Sequence, residues 1–399
     1  MSTEAFVYDN IRTPFGRFRG SLADVRPDDL ATHVVRTLVE RAPQLDPARI
    51  DGVVFGNANG AGEENRNVAR MATLLAGLPV TVPGTTMNRL CGSSMDAAMA
   101  ASREVLVGDA DLVLVGGVES MTRAPWVMLK PSKSYPPGDG QLASTTLGWR
   151  LVNKRMPALW ASSLGECTEL LRESFGIDRK QQDAFALRSH QLAAHAWDDG
   201  FYDDHVIPVP DTDLTRDESV RLDASIESLA KLKPSFRKVN GTVTAGNASP
   251  LTDGAAAMFI GSAKAAELLG QQPLARICGR GIAAVEPQFF GIAPVEAANR
   301  ALAQAGISWD EIGVVELNEA FAAQSLACLS QWPIDPKIVN PHGGALAIGH
   351  PLGASGGRLI ATLARGMRAQ GARYGVAAVC IGVGQGLAMV LENTELGNA

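Results

Sequence analysis

Short apolar runs alternate with helix-like repeats through the first 120 residues, and this alternation most constrains the fold. AFVYD (5–9) and GVVFGN (52–57) read as strands. Between them, residues 27–41 put Leu30, Val34 and Leu38 on one face, with Asp28 and Asp29 in the first turn where the helix dipole favours acids. A second helix is predicted over 67–76, and GTTMN (84–88) and DLVLVGG (111–117) flank a third running from Cys91 to Val107. Runs that are apolar on both faces belong to a sheet covered by helices on both sides. The same rhythm resumes at about 242, with strands at AAAMFIG (255–261), ARICGRG (275–281), VVELN (314–318) and VAAVCI (376–381), and helices at 294–305, 319–330 and 353–370. The expected class is α/β, built as two similar halves.

Residues 121–241 differ in character. They hold the Pro-rich stretch KPSKSYPPGDG, four tryptophans (126, 149, 160 and 197), a helix predicted at 180–197 and crowded charges over 198–223. This segment reads as an inserted loop domain. The expected division is therefore 1–120 with 242–272 as one half, 121–241 as the insertion and 273–399 as the other half. Tyr374 to Leu391 is uncharged for 18 residues, the lower limit for a membrane span. Its glycines divide it into VAAVCI and LAMVLE, so two buried strands joined by a tight turn are predicted, and no membrane insertion.

Composition removes other classes. Lys plus Arg is 36 against 42 Asp plus Glu, a net charge of −6 that argues against nucleic acid as a partner. Five cysteines (91, 167, 278, 328 and 380) are widely spaced with no CxxC pair, which excludes a zinc ribbon or disulfide framework and fits a reducing, cytoplasmic setting with no metal. Glu4 and Asp9 interrupt the N-terminus before any apolar stretch, unlike a secretory signal.

Four residues stand where chemistry is expected. Cys91 follows a predicted strand and a two-residue turn and opens the helix CGSSMDAAM. A buried Cys is most often a small packed hydrophobe, but one at a helix start faces unsatisfied N–H groups, and the expectation is a lowered pKa and a reactive thiolate. His350 lies in GGALAIGHPLGASGG, with six glycines in fifteen residues, where bare backbone lets a substrate approach. Cys380 closes an apolar strand and enters GVGQG, and Asn318 sits where a strand passes into a helix, as a cap or as a ligand. All four fall at strand ends, where open α/β sheets place their sites.

NRLCGSSMDAAM, GGVESMTRAP, TAGNASPLTDGAA, LNEAFAAQ, NPHGGALAIGHPLGASGGR and CIGVGQG, in that order, resemble the signature blocks of thiolases over residues 5–392. GEENRNVARMA, TTLGWR, QDAFALRSHQLA and LAKLKP are most similar to bacterial degradative members of the β-ketoadipyl-CoA type. The resemblance implies the thiolase fold: two α/β halves with mixed sheets in a five-layer αβαβα arrangement, plus an inserted loop domain that serves CoA. It implies Cys91 as the acylated nucleophile, His350 as its activator, and Cys380 as the group that moves the α-proton. Asn318 would order a water beside His350 at the thioester oxygen. The backbone N–H groups of Cys91 and Gly382 would form a second oxyanion hole. CoA contacts carry over to Ser249, Arg221, Ser228, Ala320 and Phe321. No permanently bound cofactor is implied; CoA and acyl-CoA are substrates, and a homodimer or homotetramer is expected.

The chemistry matches these residue types. A thioester is exchanged reversibly by another thiol, and C–C bond formation needs a second group for the α-proton, so two cysteines have distinct work. A cysteine-dependent thioester hydrolase would leave Cys380 idle, and a non-catalytic CoA-binding subunit would have no need of Cys91 or His350.

Overall fold

The computed structural model describes residues 4–136 and 138–396. The first half contains β1 (Phe6–Arg12), β2 (Gly16–Arg17), α1 (Pro27–Glu40), β3 (Gly52–Gly56), α2 (Val68–Leu75), β4 (Gly84–Met87), α3 (Ser93–Val107) and β5 (Leu112–Ser120). A long excursion follows, with the small hairpin β6 (Trp126–Val127) and β7 (Ala143–Ser144) and helices α4 (Leu164–Phe175), α5 (Arg179–Asp198) and α6 (Ile226–Ala230). The chain then returns as β8 (Thr252–Gly261) and α7 (Ala265–Leu269). The second half runs β9 (Ala275–Ala284), α8 (Ala293–Ala305), β10 (Ile312–Leu317), α9 (Ala322–Leu329), α10 (Ala345–Ile348), α11 (Leu352–Gln370), β11 (Tyr374–Ile381) and β12 (Gln385–Asn393).

The two halves share one topology. In the first, β3 is parallel to β5, β5 antiparallel to β8, and β8 antiparallel to β1. In the second, β10 is parallel to β11, β11 antiparallel to β12, and β12 antiparallel to β9. Even the β3–β4 pairing has a vestige, a parallel bridge between Val315 and Val339. The duplication therefore survives in the strand order. β1 and β9 meet at Phe6–Arg276 and Val7–Ala275, and join both halves into one mixed sheet.

Alternation along the strands creates the layers. On β5, Leu112 and Leu114 pack outward with α1 and α2, whereas Val113 and Val115 pack inward with α3 and α11. On β11, Val376 and Ala378 face α8, and Ala377, Val379 and Ile381 face the same central helices. Helices thus lie outside each half-sheet and between them: five layers, αβαβα. Burial of both strand faces is what the unbroken apolar runs required.

The uncharged stretch at 374–391 is the β11–β12 hairpin, and no helix among the described residues is long and apolar enough to cross a membrane. α4 was not expected from the sequence. The helix predicted at 319–330 begins at Ala322, because residues 320–322 first run alongside 247–249.

Candidate active site

The starts of two equivalent helices, α3 and α11, converge. Behind β4, residues Leu90–Gly92 form a 3-10 turn that leads into α3, so Cys91 stands one turn ahead of the helix rather than at its first residue. Leu90 takes a left-handed φ of 46°, a strained conformation for a branched residue that fixes how the following thiol is presented. His350 precedes α11, the counterpart of α3. Its backbone N–H donates to Thr252 Oγ1 at 2.8 Å, behind Gly349, whose φ of 111° suits only glycine. The two helices touch at their starts. Gly357 N–H donates to Ser94 Oγ at 2.9 Å, and a Cβ at Gly356 would stand 2.3 Å from Met95 N.

β11 and β12 complete the site. Their turn is Gly382–Val383–Gly384, with Val383 at φ 64° and Gly384 at φ 75°, and it aims the Gly382 N–H at the Cys91 sulfur. Cys380 lies at the end of β11 in a small apolar cluster with Val243, Phe290, Ala320 and Phe321. Asn318 follows β10 and is fully buried, its N–H bound to Ala378 O at 2.9 Å. Its Nδ2 lies 3.3 Å from His350 Nε2 and 3.4 Å from Nδ1. Cys91, His350, Asn318, Cys380 and Gly382 are therefore brought together.

Burial governs the protonation of this group, and here the expected thiolate is corrected. Burial pushes the Cys91 thiol up to about 11; the N–H groups of Gly382 and of Cys91 itself pull against it, and the charge of Glu119 adds to the rise. Cys380 is pushed well above the ordinary thiol range by burial and by neighbouring Cys91 and Cys328. His350 is pushed down to about 3 by burial, and Arg358 adds to the effect. The resting site thus pairs a neutral thiol with a neutral imidazole. The helix-start effect is outweighed because the excursion closes over the site and removes water.

Among the expected CoA contacts, three meet. Ser249 N–H donates to Ala320 O at 3.0 Å, and Ala248 pairs with Phe321. Arg221 and Ser228 are exposed, on and just before α6, whose Leu229 packs with Ala322. The Arg221 N–H donates to His190 Nδ1, and the Ser228 hydroxyl is engaged in a capping box with Ser225.

Several residues at the site were not singled out from the sequence. Glu119 is buried and accepts N–H bonds from Ala58 and Gly353, each at 2.9 Å, tying the ends of β3 and α11 together; burial pushes it up to about 7. An acid at the end of the apolar run LVLVGGV was its signal. Arg358 and Glu316 form a fully buried ion pair of 3.1 Å, with Arg358 also 3.5 Å from Asn318 Oδ1. Trp149, from the excursion, lies over Gly382: a Cβ there would stand 3.0 Å from the indole.

Known proteins share this fold. Residues 5–264 match the family described as Thiolase, N-terminal domain, and residues 271–393 match Thiolase, C-terminal domain. This chain is a member of the thiolase family. It is similar to a Pseudomonas aeruginosa protein named Beta-ketoadipyl-CoA thiolase, 48% identical over 98% of this chain and 100% of that one. An Escherichia coli K12 relative, named 3-oxoadipyl-CoA/3-oxo-5,6-dehydrosuberyl-CoA thiolase, is also 48% identical, over 98% of this chain and 99% of its own. Among solved thiolase-fold structures, Bacillus anthracis acetyl-CoA acetyltransferase superposes with a TM-score of 0.91 at 36% identity, covering 98% of this chain and 99% of that one. Human mitochondrial 3-ketoacyl-CoA thiolase in complex with CoA gives 0.91 at 35% identity, covering 98% of each chain. As a thiolase, the protein is an acyltransferase that exchanges acyl groups between CoA thioesters, by thiolytic cleavage of a 3-ketoacyl-CoA or the reverse Claisen condensation.

Proposed function

We propose that the substrate is a 3-oxoacyl-CoA whose chain ends in a carboxylate, of the 3-oxoadipyl-CoA type named for the relatives above. The observation that carries the mechanism is the Gly382 N–H aimed at the Cys91 sulfur, with Cys380 a close neighbour of that thiol and the Asn318 carboxamide 3.3 Å from the His350 imidazole. In this reading the Cys91 sulfur, giving its proton to His350, attacks the 3-keto carbon. The C2–C3 bond breaks, its electron pair leaves as the enolate of acetyl-CoA, and Cys380 supplies the proton to C2. Asn318 and His350 hold the enolate oxygen through an ordered water, and the N–H groups of Cys91 and Gly382 hold the tetrahedral oxyanion. A second CoA thiol then takes the acyl group from Cys91. Ser249, Ala320 and Phe321 would line the pantetheine path, while Arg221 and Ser228 would lie towards the adenosine end. A cytoplasmic homodimer or homotetramer completes the proposal.

The test separates the two thiols. Cys380→Ser should still be labelled by radioactive acetyl-CoA, on the peptide holding Cys91, yet lose condensation by roughly a thousandfold, about 4 kcal/mol. Cys91→Ala should show neither. Label on Cys380, or none in Cys380→Ser, would overturn the assignment.

A further inference from the structure

Beyond Gly382, the Trp149 indole faces a second space. A cavity of about 850 Å³ lies between the β6–β7 hairpin and the segment 149–151, lined by Met128, Leu129, Pro131, Trp149, Arg150 and Leu151 among others. Trp149 is a wall shared by the two spaces, in contact range of Gly382 on one side and lining the cavity on the other. The segment is held firmly. Gly148 (φ 79°) and Leu151 (φ 54°) bracket Trp149 and Arg150 in left-handed conformations, and the indole Nε1 donates to Ser162 O at 3.1 Å.

Arg150 is the cation of this cavity, and it is underused. One guanidinium nitrogen donates to Asn59 Oδ1 at 3.1 Å, and Asn59 is in turn fixed by Thr145 Oγ1 at 2.9 Å. Its other N–H groups make no hydrogen bond and no ion pair among the described residues. Asp139, an acid that also lines the cavity, forms no ion pair with it among those residues. A guanidinium anchored at one nitrogen keeps the planar fork that binds a carboxylate with two hydrogen bonds. Met128, Leu129 and Leu151 line the same space beside Ser132, Gln141 and Ser144, so apolar surface for a short methylene chain lies next to the guanidinium.

We infer that Arg150 is the residue that selects acyl chains ending in a carboxylate, with Trp149 directing the chain from Cys91 into this cavity. The inference rests on the proposed dicarboxylic substrate. An acyl group on Cys91 passes under the indole at Gly382, and its distal carboxylate meets the free edge of the guanidinium. A chain ending in methyl gains nothing from Arg150.

The experiment compares kcat/KM for thiolysis of 3-oxoadipyl-CoA with that of 3-oxohexanoyl-CoA, its methyl-terminated counterpart, in wild type, Arg150→Gln and Arg150→Lys. The expected result is a preference for 3-oxoadipyl-CoA in wild type that falls about 30-fold in Arg150→Gln, about 2 kcal/mol. Arg150→Lys, which keeps the charge without the fork, should fall in between. A merely structural role for the Asn59 contact would lower both substrates together and leave their ratio alone, which would overturn the inference. A wild-type preference that persists undiminished in Arg150→Gln also overturns it, while the dicarboxylic substrate reading stands. A wild type with no preference overturns that reading itself, and the inference with it.

Discussion

Ser355 Oγ lies 2.6 Å from Nδ1 of His350 and 2.9 Å from the carbonyl of Pro351. The hydroxyl has one hydrogen, and the carbonyl takes it. The oxygen then accepts from Nδ1–H, which places the imidazole proton on Nδ1 and leaves Nε2 free to receive one. The proposed base is thus held in the useful tautomer by a residue one turn into its own helix.

Ser355→Ala should therefore lower kcat/KM for thiolysis by about tenfold, the worth of one buried hydrogen bond of roughly 1.4 kcal/mol. Circular dichroism should stay native. Steady-state kinetics that match wild type would show that the tautomer does not depend on Ser355.

The raised Cys91 thiol and lowered His350 imidazole have a kinetic signature in the free enzyme. A thiol pushed up to about 11 is protonated throughout the neutral range. Its alkylation by iodoacetamide should rise about tenfold per pH unit from 7 to 10, as thiolate accumulates. A plateau between pH 5 and 8 would instead report a standing thiolate–imidazolium pair. Mass spectrometry of the Cys91 peptide distinguishes this thiol from the four others.

Glu316 and Arg358 pose a different question. Burial pushes the Glu316 carboxyl up, and the Arg358 guanidinium at 3.1 Å opposes the rise. Glu316→Gln alone strands a buried guanidinium and should cost about 3–5 kcal/mol in urea unfolding, whereas Glu316→Leu with Arg358→Met should recover most of it. In Arg358→Met the Asn318 amide loses its neighbour at 3.5 Å, so condensation should slow more than acetyl labelling of Cys91. Equal slowing of both steps would remove Arg358 as the group that orients Asn318.

Val383 carries backbone strain in the turn that presents Gly382. A β-branched residue at φ 64° is costly, and its side chain is partly exposed. Val383→Asn should raise the urea midpoint by the equivalent of about 1 kcal/mol. A lower midpoint would mean that the valine's packing outweighs its strain.

The strands of both halves were legible because continuous apolar runs bury two faces, and β11 and β12 were separated correctly by the glycines between them. Strand direction was not legible. Periodicity carries no sign, and only the pairings show that β8, β9 and β12 run antiparallel to their neighbours. α4 escaped because its buried face is made of Gly165, Cys167, Thr168, Glu169 and Leu171, too mixed to read as an apolar stripe. Cys91, His350 and Cys380 stood out by their glycine settings and Asn318 by its place between a strand and a helix, whereas Trp149 acts through Gly382, more than two hundred positions away, which no local pattern reveals. The charge state of Cys91 was misjudged for the same reason. The roof that dries it comes from residues more than fifty positions away.

β1 is hydrogen-bonded to β8 on one side and β9 on the other, so a single strand is the seam between the two halves. A two-lobed enzyme usually admits its substrate by swinging one lobe against the other. Here such a swing would tear a ladder at the centre of the sheet and part Cys91 from His350. The two halves are thus bound edge to edge as one frame, and the spacing of the helices behind Cys91 and His350 is set by that shared strand and by their own contact, not by a hinge.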